Sequence, residues 1–200
     1  MKSSVSGILL SAGKSERMGS PKALLEIGGR TNIENLLEEY LSSDISELVL
    51  VLGFDAENLR TFVNSRYKDE RLKIVVNERY EKGMFSSLQK GVSSVNFQGI
   101  LIGLIDYPLI KRNTINKLIE NFDGNNIVTP TYRGKSGHPI ILPFSLRGDI
   151  LNTTREDETL REIINSHKDL IKKVEIGDES VNFNMNTMED YERVKTLWRK

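Results

Sequence analysis

Short apolar runs rich in β-formers alternate along this chain with amphipathic segments, and few architectures can accept that pattern. Val5 to Leu10, Leu48 to Leu52, Leu72 to Val76, Ile100 to Ile105 and Ile127 to Thr129 read as strands. Each is a near-continuous apolar run rather than an alternating one, as expected of strands covered on both faces. Asn32 to Leu41, Ala56 to Asn64, Phe85 to Val95 and Asn113 to Asn121 read as the helices between them. In the first helix, Ile33, Leu36, Leu37, Tyr40 and Leu41 recur at helical spacing. Such alternation predicts an α/β fold: a mostly parallel sheet with helices on both faces. Beyond residue 130 the pattern loosens. Thr131 to Leu142 carries two glycines and Pro139, which predicts a hairpin or irregular excursion. Asp157 to Ile164 then reads as a helix, Leu170 to Ile176 as a strand and Met188 to Trp198 as the last helix. With no repeat, low-complexity tract or linker, residues 1–200 are expected to form a single domain.

Composition removes several function classes. Lys plus Arg and Asp plus Glu number 28 each, so the formal net charge is zero. A nucleic-acid or membrane-surface binder would carry a basic excess. There is no cysteine, which excludes thiolate metal sites, a cysteine nucleophile and disulfide staples. The N-terminus lacks the long apolar core of a secretory leader, and no apolar run approaches the roughly 20 residues of a membrane span. A cytoplasmic protein is expected.

Open parallel sheets bind ligands beyond the carboxyl ends of their strands, and the notable polar residues cluster there. Gly13 to Lys22 follows the first strand, Asn77 the third and Asp106 the fourth, while Asn184 to Thr187 precedes the last helix. Gly13-Lys14-Ser15 ends like a P-loop, but that motif needs four residues between its glycines. Here five separate Gly7 from Gly13. The alternative is a wider loop in which Gly13 and Gly19 bare backbone N–H groups to a polyphosphate while Arg17 and Lys22 supply charge. An ordinary βα turn with solvated charges explains the glycines and lysines alone equally well.

Other residues carry two readings each. Asp106 ends an apolar strand, where it suits a magnesium ligand or, with Pro108 nearby, a turn. Thr187 and Asp190 are spaced as a capping box, and Asn186 beside them can add a neutral oxygen to a metal. Ser86 and Ser87 stand near a helix start, placed to hold a base or phosphate or to cap the helix. His138 lies in Gly137-His138-Pro139, whereas His167 sits among charged residues of the surface. With no second clustered histidine, zinc is not expected.

Taken in order, these pieces resemble the MobA-like nucleotidyltransferases, and among them the molybdenum cofactor cytidylyltransferases. Leu10 to Lys22 matches the family opening Leu-Ala-Ala-Gly-x-Ser-x-Arg-Met-Gly-x-Pro-Lys. Asn77 to Gly91 is similar to the Asn…Gly-Met…Ser-Ser-Leu…Gly motif. Asp106-Tyr107-Pro108, Gly137-His138-Pro139 and Asn186-Thr187-Met188-Glu189-Asp190 match the remaining motifs. Three departures stand out: Ser11 for Ala, Met188 for Pro, and Asn186 where cytidylyl members commonly have Asp.

The resemblance implies a Rossmann-like three-layer sandwich of the nucleotide-diphospho-sugar transferase type. It implies transfer of CMP from CTP to molybdopterin with release of pyrophosphate, Ala12 fitting the cytidylyl branch. Arg17, Lys22 and Asp106 would be catalytic. Leu10, Ser11, Ala12, Gly13, Gly19, Lys22, Asn77, Ser86 and Ser87 would hold the nucleotide. Mg²⁺ would sit on Asp106 and Asn186, and His138 with Lys135 or Arg133 would face the acceptor. A molybdoenzyme would receive the product. Three alternatives remain open: guanylyl transfer, a sugar or alcohol phosphate acceptor, and a non-catalytic nucleotide-binding protein.

Overall fold

The computed structural model describes residues 4–15, 18–155 and 158–198. Its centre is β1, Val5–Ser11, buried at every position. β1 pairs in parallel with β4, Glu47–Leu52, on one side and with β6, Gly99–Leu104, on the other. Beyond β4 lies β5, Leu72–Val76, also parallel. Beyond β6 the direction reverses once. β9, Ile140–Pro143, runs antiparallel between β6 and β7, Ile127–Tyr132. β10, Ile171–Glu175, closes that edge parallel to β7, giving the order β10-β7-β9-β6-β1-β4-β5. A two-residue strand, β8 (Lys135–Ser136), folds back on β7. The loosened sequence after residue 130 is thus a hairpin that inserts a strand into the sheet.

Side-chain alternation divides the core. Leu9, Leu48, Leu50, Leu52 and Leu101 face α1 (Asn32–Leu41), α2 (Ala56–Arg66) and α4 (Arg112–Glu120). Ile8, Leu10, Val49, Val51 and Ile102 face the other way, toward α3 (Met84–Ser93), α5 (Arg147–Asn152) and α6 (Leu160–Ser166). Strands covered on both sides need apolar residues at successive positions, which is why the sequence shows runs. α1 starts at a capping box: the Thr31 hydroxyl accepts from the Glu34 N–H, and the Glu34 carboxylate accepts from the Thr31 N–H at 2.9 Å.

The predicted element types hold, with ends shifted by up to three residues; β7, expected to end at Thr129, runs on to Tyr132. The helix predicted from Asp157 starts at Leu160, where Thr159 and Glu162 form a second capping box; Asp157 itself lies outside the described residues. Three elements had no counterpart in the sequence reading: the hairpin of β2 (Glu26–Ile27) and β3 (Arg30–Thr31), helix α5, and β9 as an interior strand. The β2–β3 hairpin, Met18, Leu109 and α7 (Met188–Trp198) share a third, smaller apolar cluster. No helix among the described residues is long and apolar enough to cross a membrane.

Candidate active site

A cleft of about 320 Å³ opens at the carboxyl edge of β1 and β6. From β1 comes Leu10, and from the loop after it Ala12, Gly13, Ser15 and Met18, followed by Lys22. The loop after β5 and the start of α3 give Tyr80, Gly83, Met84 and Ser87. The end of β6 gives Leu104 to Asp106, and the approach to α7 gives Asn186. The fold therefore collects on one edge what the sequence spreads over some 176 positions, as an open parallel sheet does.

Lys22, Asp106 and Asn186 form the polar end. The Lys22 ammonium donates to Asn186 Oδ1 at 2.6 Å. The Met185 N–H donates to the Asp106 carbonyl at 2.7 Å, which ties the last segment to the end of β6. Asn186 and Thr187 both donate backbone N–H groups to Asp190, and Asp190 N–H donates to the Thr187 hydroxyl. This is the anticipated cap, and the donated N–H of Asn186 holds the Asp190 carboxyl below its ordinary range. Burial raises the Asp106 carboxyl above the usual carboxylate range, while the Lys22 charge and a backbone N–H oppose part of the rise.

Asp106 and Asn186 offer hard oxygen donors of the kind magnesium accepts. No group of three or more His, Asp or Glu able to cage a metal exists among the described residues. That fits an ion held by one carboxylate and completed by substrate phosphates and water.

The loop after β1 is open where ligand backbone contact is expected. Among the described residues, nothing lies within 4 Å of the Cβ position of Gly13 or of Gly19, whose φ is +65°. Beside Gly13, a second opening of about 350 Å³ is lined by Lys14, Ser15, Tyr80 and Glu81, with Lys14 and Glu81 paired at 2.7 Å. Arg17, expected to be catalytic, lies outside the described residues.

The other expected residues have different surroundings. Ser11 is buried within β1. Asn77 is buried and works inward: its amide donates to the hydroxyls of Ser86 and Ser87 at 2.9 Å, and its oxygen accepts from the Arg79 N–H. Ser86 donates back to the carbonyls of Gly83 and Arg79. Of this trio only Ser87 lines the cleft; Asn77 and Ser86 shape the loop that carries it.

His138 is not among the residues lining the cleft. Its ring packs against Tyr107 at 5.1 Å between centroids, and its Nδ1 is buried with no hydrogen-bond partner among the described residues. Burial pushes its pKa down to about 4, so it is neutral at pH 7. Arg133 on the β7–β8 turn and Lys135 in β8 are exposed and are not among the residues lining the cleft; the Arg133 N–H donates to Glu175 at 3.0 Å.

Two residues that position the site were not anticipated. Asn32, fully buried at the start of α1, donates its amide to the carbonyls of Lys22 at 3.1 Å and Ile105 at 2.8 Å. It resembles any helix-initiating Asn in the sequence, so no local signal marks it. Gly53, at the end of β4, leaves no space for a Cβ, which would lie 2.7 Å from the Ala12 carbonyl and 2.6 Å from Tyr80 Cβ. A glycine closing an apolar strand at the ligand edge was a usable cue.

Over residues 7–170 the sequence matches the family described as MobA-like NTP transferase domain. Nicotine blue oxidoreductase of Paenarthrobacter nicotinovorans is 31% identical over 199 residues, spanning 95% of this chain and 96% of that protein. A probable molybdenum cofactor guanylyltransferase of Thermococcus sibiricus is 24% identical over 199 residues, 94% of this chain and 96% of that one. Rv0371c of Mycobacterium tuberculosis, solved as a complex with manganese, superposes with a TM-score of 0.79 at 22% identity, covering 96% of this chain and 98% of the other.

Proposed function

Because the chain belongs to the MobA-like NTP transferase family, we propose that it transfers the CMP of CTP to molybdopterin and releases pyrophosphate. One observation carries this reading. Lys22, Asp106 and Asn186 converge at the strand edge beside a loop of open glycines. In the reaction, a terminal phosphate oxygen of the acceptor forms a bond to the α-phosphorus of CTP as the bond to the β-phosphate oxygen breaks. The attacking oxygen is already anionic, so no strong base is required, in keeping with a neutral His138 outside the cleft lining.

Catalysis then rests on positioning and charge. Backbone around Gly13 approaches the triphosphate, and the Lys22 ammonium balances charge on the α-phosphate and departing pyrophosphate. Arg17 is assigned the same task from the family motif. Asp106 and Asn186 would hold magnesium, which would supply positive charge against the phosphates. Ala12 supports the cytidylyl choice through its motif position alone, since guanylyl members commonly have glycine there.

The test is a panel of CTP, GTP, ATP and UTP with molybdopterin and with sugar and alcohol phosphates, scored by pyrophosphate and by the dinucleotide product. CTP with molybdopterin is expected to dominate; GTP outperforming CTP would assign guanylyl transfer instead. Asp106→Asn is expected to reduce turnover at least about a hundredfold with the fold intact.

The relative named as an oxidoreductase favours a second reading, oxidation–reduction at the same edge. Reduced nicotinamide nucleotides with a dye acceptor, read by absorbance, separate it: turnover there without pyrophosphate release in the panel would replace the transferase reading.

A further inference from the structure

We propose that the Lys22 ammonium, hydrogen-bonded to Asn186, is the resident counterion of Asp106 and competes with a divalent metal for these oxygens until a nucleotide draws it away. The inference rests on the nucleotidyl-transfer reading and adds an order of binding to it. Lys22 Nζ donates to Asn186 Oδ1 at 2.6 Å, and its charge acts directly on Asp106. These are the oxygens a metal would use. A cation already at hydrogen-bond distance from one and in the field of the other competes with the metal for both.

The backbone of Lys22 is fixed at both ends. Its N–H donates to the Ser15 hydroxyl at 3.1 Å, and its carbonyl accepts from Asn32 at 3.1 Å. Asn32 in turn holds Ile105, next to Asp106, at 2.8 Å. The ammonium therefore leaves by rotation of its flexible four-carbon stem, not by movement of the loop. A triphosphate entering beside Gly13 gives the ammonium a new anionic partner. The same phosphates bring the oxygens that complete a metal's shell, since among the described residues no group of three or more acidic or histidine side chains can do so. Nucleotide and metal thus each strengthen the binding of the other, a coupling that is reciprocal by linkage.

Mn²⁺ serves as the probe, its free ion measured by electron paramagnetic resonance at pH 8 with the folded full-length chain. Without nucleotide, wild type is expected to bind Mn²⁺ weakly, and Lys22→Met about tenfold more tightly, the usual weight of one close charge. Asp106→Asn added to Lys22→Met should cancel that gain. A thermal melt establishes that each variant is folded. Equal Mn²⁺ affinity for wild type and Lys22→Met in the absence of nucleotide would overturn the counterion role. A separate arm with a non-hydrolysable CTP analogue judges the underlying reading. If the analogue raises Mn²⁺ affinity of wild type while Lys22→Met shows no gain alone, nucleotide binding stands and the inference fails. If Lys22→Met gains Mn²⁺ but no nucleotide affects either protein, the counterion role stands and the nucleotidyl-transfer reading fails.

Discussion

Asn32 does not line the cleft, yet its one amide group spans the carbonyls of Lys22 and Ile105 and so sets the spacing of Lys22 and Asp106. Asn32→Asp would set acceptor oxygens against both carbonyls. It is expected to lower stability by about 1–3 kcal/mol, the magnitude for buried groups left unpaired, measured by urea denaturation, and to lower turnover as well. His138 makes a prediction about pH. Its ordinary value of 6.5 is pushed down to about 4 in the fold. Between those values the unfolded chain binds a proton that the folded one does not, so stability falls as pH drops from about 6.5 to about 4. Melts of His138→Gln should lose that slope relative to wild type; an unchanged slope would place the titration elsewhere. Lys22, Asp106 and Ser87 could be singled out from motifs because each lies in a polar segment after an apolar run. The neutrality of His138 could not, because it depends on Tyr107 and on burial beneath segments remote in sequence.

At the scale of elements, the ends of β1 and β4 are pressed together. Gly53 is the contact: any Cβ there meets Ala12 and Tyr80 within 2.8 Å. Gly53→Ala is expected to displace the loop carrying Ala12 and Gly13. The nucleotide KM should rise about tenfold or more, with a stability loss of about 1–3 kcal/mol from overpacking. Steady-state kinetics and a melt check both parts. Helices α1 and α7 coincide with their predicted spans because their caps are local chemistry, Thr31 with Glu34 and Thr187 with Asp190. β9 was harder to foresee. Its four residues, Ile140–Pro143, are fully buried, and a short apolar run states neither its direction nor its neighbours. Only its pairing with β6 and β7 makes it an interior antiparallel strand.

Across the whole molecule, the site leans on the small third cluster rather than on the two faces of the sheet alone. Met18 from the loop, Leu109 after Asp106, and Met185 before Asn186 all enter it, together with Val194 and Trp198 of α7. Trp198 packs over Gly28 and lies 3.9 Å from the Lys111 ammonium. As the chain's one tryptophan, it should report on the site. CTP with Mg²⁺ is expected to change its emission, and Trp198→Phe to abolish the signal. An unchanged spectrum under conditions where calorimetry detects binding would show that the cluster does not transmit the ligand's arrival.

The sequence by itself determined the layered α/β plan, the sheet edge at which the cleft opens, and most of the residues that line it. Those follow from periodicity, caps and glycine placement, which act over a few residues and are visible locally. Tertiary structure decided that Lys22 bonds Asn186 across 164 positions, that Asn77 serves its own loop, and that His138 is neutral. It also decided that Asn32 and Gly53 belong to the site. Each of these depends on distances between segments far apart in the chain, and sheet register and core packing set such distances where no local propensity can.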